Sequence, residues 1–122
     1  MTKAPERYTM NFGWVWGPDN PDLAKVASLA MKLRGAEPDK LEALLNSWLA
    51  GLNYDAERGH YFQGGFSVEV QSRGNGTAEI VFVSGGQDVA DSLGDAVDGF
   101  YDQVLQHLTT ASVTWTERPL EP

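Results

Sequence analysis

Hydrophobic and polar positions alternate strictly near the start of the chain. Tyr8, Met10, Phe12, Trp14 and Trp16 interleave with Thr9, Asn11, Gly13 and Val15. That period of two predicts a strand over residues 8–16 with one buried face. Gly17-Pro18-Asp19-Asn20 ends it. The spacing then changes to three and four. Asn20-Pro21 suits an N-cap followed by the first helical position. Leu23, Val26, Ala27, Ala30 and Leu33 share one helical face, with Gly35 as a C-terminal stop. A second helix is expected from Pro38, with Leu41, Leu44, Leu45, Trp48, Leu49 and Leu52 on its apolar side and Gly51 near its end. The two helices would form a short hairpin or one bent element.

Residues 53–65 are polar, aromatic and glycine-bearing, which predicts a loop. Over residues 66–73, Phe66, Val68 and Val70 alternate with Glu69, Gln71 and Arg73. Gly74-Asn75-Gly76 is a hairpin turn signal, because asparagine and glycine tolerate positive φ. Residues 77–83 return as a strand that is apolar at almost every position, as expected of a central strand. Ser84-Gly85-Gly86 leads into a long helix over residues 88–108. A last strand spans residues 111–116, with Val113 and Trp115 on one side and Ser112, Thr114 and Thr116 on the other. Residues 1–7 and 117–122 are expected to be loose termini.

The order is β-α(α)-β-β-α-β, an α+β pattern. With right-handed crossovers it predicts a two-layer, ferredoxin-like (split-βαβ) sandwich with an antiparallel sheet and helices on one face. The first and third strands would be central. The open face of the sheet would show Thr9, Asn11, Glu69, Gln71, Ser112, Thr114 and Thr116. Such a topology hosts enzymes, regulators and binders alike, so it does not decide function.

Composition narrows the picture. A length of 122 residues, 42% of them hydrophobic, suits a single domain over residues 1–122 with its own core. There are no cysteines, which excludes disulfides and thiolate metal sites. Residues 1–7 are polar and contain Pro5, unlike a secretory signal. No apolar run approaches the roughly 20 residues that span a bilayer. A cytoplasmic protein that does not engage membrane is the simplest expectation.

Charge changes the picture most. The net charge is −8, unevenly spread. Residues 1–73 carry 8 Lys/Arg and 9 Asp/Glu, whereas residues 74–117 carry 7 Asp/Glu and no Lys or Arg. Such a field repels nucleic acid and attracts basic surfaces, so direct nucleic-acid binding is not expected.

Most of this charge forms one stripe. Asp88, Asp91, Asp95, Asp98 and Asp102 are spaced 3, 4, 3 and 4 along the predicted helix. At ~100° per residue they fall within an arc of about 80°. Val89, Leu93, Ala96, Val97, Phe100, Val104 and Leu108 centre on the opposite side. A charged face opposite an apolar face is ordinary for a surface helix. The chemistry is less ordinary. Aspartate is a poor helix former. Like charges four residues apart cost roughly 0.2–0.5 kcal/mol per pair, and no basic residue offsets them. The helix dipole favours Asp88 and Asp91, but Asp98 and Asp102 lie too far along. Gly94 and Gly99 each add about 1 kcal/mol of helix penalty relative to alanine. This pattern suits a partner that needs dense negative charge on a compact ridge. A DNA mimic is an alternative. The stripe would span ~21 Å, a length over which one DNA strand carries about six charges, so five aspartates match one strand and not a duplex. One helix does not supply enough converging oxygens for calcium, so no metal and no cofactor is expected.

The other cluster of reactive side chains lies in the predicted loop: Asp55, Glu57, Arg58, His60 and Tyr61, with Trp16 as a possible neighbour. His60 could act as a general base oriented by Asp55 or Glu57. The simpler reading is a surface loop with aromatic anchors. His107, near the end of the acidic helix, gains from the helix dipole and needs no further role. The glycine pairs Gly64-Gly65 and Gly85-Gly86 are too short for a phosphate loop. Trp14, Trp16, Trp48 and Trp115 all fall on predicted inward faces.

Taken together, the residues point to a small acidic binding protein that is not an enzyme. It would dock Asp88, Asp91, Asp95, Asp98 and Asp102 on a protein with a basic, nucleic-acid-handling surface and inhibit it. Immunity proteins, antitoxins and phage-encoded anti-defence inhibitors share that size and charge. Two other classes stay open. One is a small-molecule-binding regulatory domain, with its ligand at the 53–65 loop or on the sheet. The other is an enzyme built on His60. The sheet face or edge could also support a homodimer.

Overall fold

The computed structural model describes residues 26–85, 89–108 and 111–118. The predicted strand at residues 8–16, and with it Trp14 and Trp16, lies outside the described residues, as do Asp88 and residues 119–122.

The elements run β1 (Val26–Arg34), α1 (Pro38–Ala50), β2 (Asn53–Asp55), β3 (His60–Gln63), β4 (Phe66–Gly74), β5 (Thr77–Gly85), α2 (Val89–Gln103), a short 3-10 turn (Leu105–His107) and β6 (Ser112–Arg118). The described strands form one six-stranded sheet in the order β2-β3-β4-β5-β1-β6, with every neighbouring pair antiparallel. The α+β class is as expected. The sheet differs from the expected four strands in having six, in the order given.

The largest correction falls on residues 26–34, expected as the end of a helix. They form β1, between β5 and β6. Leu29, Met31 and Leu33 are all buried and alternate with Ala30, Lys32 and Arg34. Among the described residues the helical pattern rests on Val26, Ala27, Ala30 and Leu33, all of which also fit a strand. The bulky side chains that gain most from burial follow the period of two, and they set the structure. β5 sits well inside the sheet, as its apolar run predicted.

The second correction concerns residues 53–65. They are not an irregular loop but the β2–β3 hairpin and the turn into β4. At the other end of the chain, β6 continues through Glu117 and Arg118, two residues beyond its predicted end.

The core lies between the sheet and the two helices. Leu29, Ile80, Phe82 and Val68 from the sheet meet Leu41, Leu45 and Trp48 of α1 and Leu93, Val97 and Phe100 of α2. Trp48 sets its ring edge-on against Phe100 at 4.7 Å, and Phe100 packs likewise on Phe82 at 5.6 Å. These geometries suit the aromatic quadrupole and knit both helices to the central strand. α1 begins with Pro38 at its first turn and ends at Gly51, whose N–H reaches back to Trp48 O.

Two local devices fix the far end of β4. A register shift between Val70 and Ser72 leaves Gln71 as the extra residue of a bulge. The bulge reverses the alternation, so Arg73 turns to the helix side. There its guanidinium pairs with Glu42 and donates to Asn46 Oδ1 at 2.9 Å, tying β4 to α1. The turn after it carries Asn75 and Gly76 at φ of 55° and 79°. Gly76 O accepts from Ala36 N at 3.1 Å, and a Cβ on Gly76 would collide with the Ala36 carbonyl. No helix among the described residues is long and apolar enough to cross a membrane.

Candidate functional site

Helix α2 presents two faces. Leu93, Ala96, Val97 and Phe100 are buried against the sheet, and Val104, Leu105 and Leu108 extend that face through the 3-10 turn. Asp95, Asp98 and Asp102 are exposed on the other side. Of the predicted stripe, Asp91 lies within α2 and Asp88 lies outside the described residues. The helix stops at Gln103 rather than continuing to residue 108. The Gln106 side-chain amide donates to Asp102 O, and Val104 N still bonds Phe100 O at 2.8 Å. This tightening brings Leu105 into the core, which a uniform helical spacing had left out. His107 is exposed in the 3-10 turn.

The aspartates differ in their surroundings. Asp98 and Asp102 each take part in interactions within the fold. The Asp95 carboxylate has no hydrogen-bond or ion-pair partner among the described residues. It borders a groove of about 400 Å³ between α1, α2 and the turn joining β3 to β4. Trp48 and Ala96, both almost fully buried, form the base of this groove, with Leu52 beside them. Gln63, Asp95 and Gln103 are exposed at its rim. One end is closed tightly: a Cβ on Gly65 would strike the Ser92 hydroxyl, and Ser84 Oγ donates to Gly65 O at 2.6 Å. The sequence held a signal for this groove. Asp95, Gly99 and Gln103 recur every four residues along one ridge of the helix. What it did not show was that Trp48 and the Gly64-Gly65 turn lie beside that ridge.

The predicted loop site resolves differently. Asp55 and His60 face each other across the hairpin, yet no hydrogen bond joins their side chains. Asp55 Oδ1 accepts instead from the backbone N–H groups of Glu57 and Arg58, at 3.1 and 3.2 Å, and Asp55 O accepts from Gly59 N at 2.8 Å. Arg58 also lies 3.8 Å from Asp55 Oδ2. The carboxylate therefore builds its own turn rather than orienting an imidazole. Glu57 is exposed in that turn. Tyr61 packs on Tyr54 with ring centroids 4.9 Å apart, which explains the aromatic pair as cross-strand packing.

The open face of the sheet shows Glu69, Gln71, Ser112, Thr114 and Thr116 exposed, as expected, while Thr9 and Asn11 lie outside the described residues. β1 adds Lys32 and Arg34 to it. A shallow concavity of about 450 Å³ lies among Lys32, Arg34, Gln71, Glu79, Thr114 and Thr116. Lys32 Nζ is 3.4 Å from Glu79 Oε1, so part of its charge is met locally. No group of three or more His, Asp or Glu side chains placed to hold a metal occurs among the described residues.

Comparison of the chain with protein-family models, with curated proteins and with solved structures gave no match.

Proposed function

We propose that this chain is a non-enzymatic binding protein that docks the outer face of α2 on a basic surface of another protein. The partner would be a nucleic-acid-handling protein, blocked in the manner of an immunity protein, an antitoxin or a phage anti-defence inhibitor. One observation carries the reading. Three exposed aspartates share a face of α2 opposite its buried residues, inside 44 consecutive positions without a lysine or arginine. Stability alone disfavours this chemistry, through poor helix propensity and like-charge spacing. A basic partner turns the same charge into faster and more selective association. The lack of cysteine fits a reducing compartment, and we place the protein in the cytoplasm. We also read β4-β5-β1-β6 as a ferredoxin-like core to which the β2–β3 hairpin adds an edge.

The test is affinity capture with the wild-type chain beside the triple variant Asp91→Asn, Asp95→Asn, Asp98→Asn. Binding of the captured protein is then measured at several salt concentrations. The expected result is binding weaker in the variant by more than about 1 kcal/mol, roughly five-fold, and steeply salt-dependent for the wild type. Equal affinity for both chains removes the acidic face from the interface and sinks the proposal. A second reading is favoured by the open-face concavity beside Lys32 and Arg34: a regulatory domain for a small anionic metabolite. Thermal stabilisation by such a metabolite, independent of the three aspartates, is what that reading requires.

A further inference from the structure

Gly99 is hard to explain by the fold. It lies inside α2, where glycine costs about 1 kcal/mol relative to alanine. Most interior glycines are excused by a positive φ or by a close neighbour. Gly99 has neither: a Cβ built on it meets nothing within 4 Å. The space it leaves open is the groove over Trp48, the same groove that Asp95 borders. Two independent features thus converge: a carboxylate without a partner among the described residues, and a missing side chain that keeps the space beside it clear.

We infer that this groove receives one arginine side chain of the protein partner. The inference rests on the proposed docking of α2 and names its central contact. The chemistry favours arginine over other occupants. The base of the groove is apolar, at Leu52 with the nearly buried Trp48 and Ala96 beside it, which suits the methylene stem of the side chain. The rim offers oxygen acceptors from the Asp95 carboxylate and the Gln63 and Gln103 amides, a set that matches a planar fork of five N–H donors better than a compact ammonium. The surrounding field is negative. The volume of about 400 Å³ is at the small end of the range for ligand pockets, enough for one long side chain and too little for a strand or helix. An arginine anchored in a partly desolvated cleft is a common source of interface affinity, whereas exposed charges around it act mainly on approach.

The experiment uses the full chain, labelled with nitrogen-15, and follows backbone amide shifts during titration with N-acetyl-arginine amide. N-acetyl-citrulline amide, nearly the same shape without charge, is the control. The expected result is saturable shifts centred on Gly64, Gly65, Ala96 and Gly99, at least ten-fold weaker with the citrulline probe. Gly99→Leu fills the groove and should abolish these shifts. Asp95→Asn keeps the shape and should weaken them at least five-fold, which covers the case in which the leucine variant does not fold. Equal response to both probes overturns the inference. So does an absence of saturable shifts, or shifts spread over Asp98 and Asp102 that persist in Gly99→Leu. That last outcome leaves docking through the acidic face intact, whereas failure of the triple aspartate test removes the docking itself.

Discussion

The β2–β3 hairpin and helix α2 carry two concentrations of polar side chains, and they use them in opposite ways. In the hairpin the polar groups serve the hairpin. Asp55 accepts the backbone donors of its own turn, and Tyr54 and Tyr61 pack on one another across the strands. In α2 the contacts with the core come from the apolar face. The outer face carries Asp95, whose carboxylate has no partner among the described residues, and a glycine that no close neighbour requires. A residue whose local geometry already explains it gives little support to a functional reading. A residue that lowers stability without a structural return gives more.

The comparison is broken most directly through the cores of the two elements. Phe100 is fully buried between Trp48 and Phe82, whereas Phe62 of β3 is 38% exposed. Phe100→Ala should cost about 3–5 kcal/mol through lost burial and the cavity left behind. Phe62→Ala should cost less than about 1 kcal/mol. Urea unfolding of both variants measures the difference. Similar losses would mean that the hairpin is as integral to the core as α2, and the contrast between scaffold and periphery would fall.

A smaller effect separates the two kinds of aspartate. Asp55→Ala removes the acceptor for two backbone N–H groups and should lower stability by about 0.5–2 kcal/mol, the range found for capping side chains. Asp95→Asn removes no partner among the described residues and relieves like-charge repulsion, so stability should stay equal or rise by up to about 0.5 kcal/mol. Parallel thermal unfolding of the two variants checks this. A loss in Asp95→Asn as large as that in Asp55→Ala would show that the outer face of α2 is structural after all.

The sequence showed these differences unevenly. Helix α1, the Gly74–Gly76 turn, the central place of β5 and the buried face of α2 were all legible, because each carries a strong local signal. β1 was not, since Val26, Ala27, Ala30 and Leu33 mimic a helical face, while Leu29 and Met31, which lie off that face, share the burial with Leu33. The side of the sheet that Arg73 takes is not legible from the alternation, because a one-residue bulge at Gln71 leaves no compositional trace. The Asp55 turn was hidden by its likeness to a loop with reactive side chains. The groove was beyond local reasoning, because it forms where Trp48, the Gly64-Gly65 turn and Gly99 meet from three separate parts of the chain.

The finest test of the comparison contrasts two glycines. Gly76 is required by its turn: its φ is 79°, and a Cβ would collide with the Ala36 carbonyl. Gly76→Ala should therefore destabilise, by strain that no rotamer can relieve. Gly99 lies in helical backbone with open space where a Cβ would go, so alanine there loses nothing in packing and gains helix propensity. Gly99→Ala should raise stability by about 0.5–1 kcal/mol, measured as a higher urea midpoint at unchanged slope. A fall in stability would mean that the helix backbone needs glycine at this point, and the open groove would be a by-product of the fold. A rise would mean that this chain keeps a glycine its fold is better without, beside an aspartate whose carboxylate has no partner among the described residues. Strain explains the first glycine completely, and only something outside the fold can then explain the second.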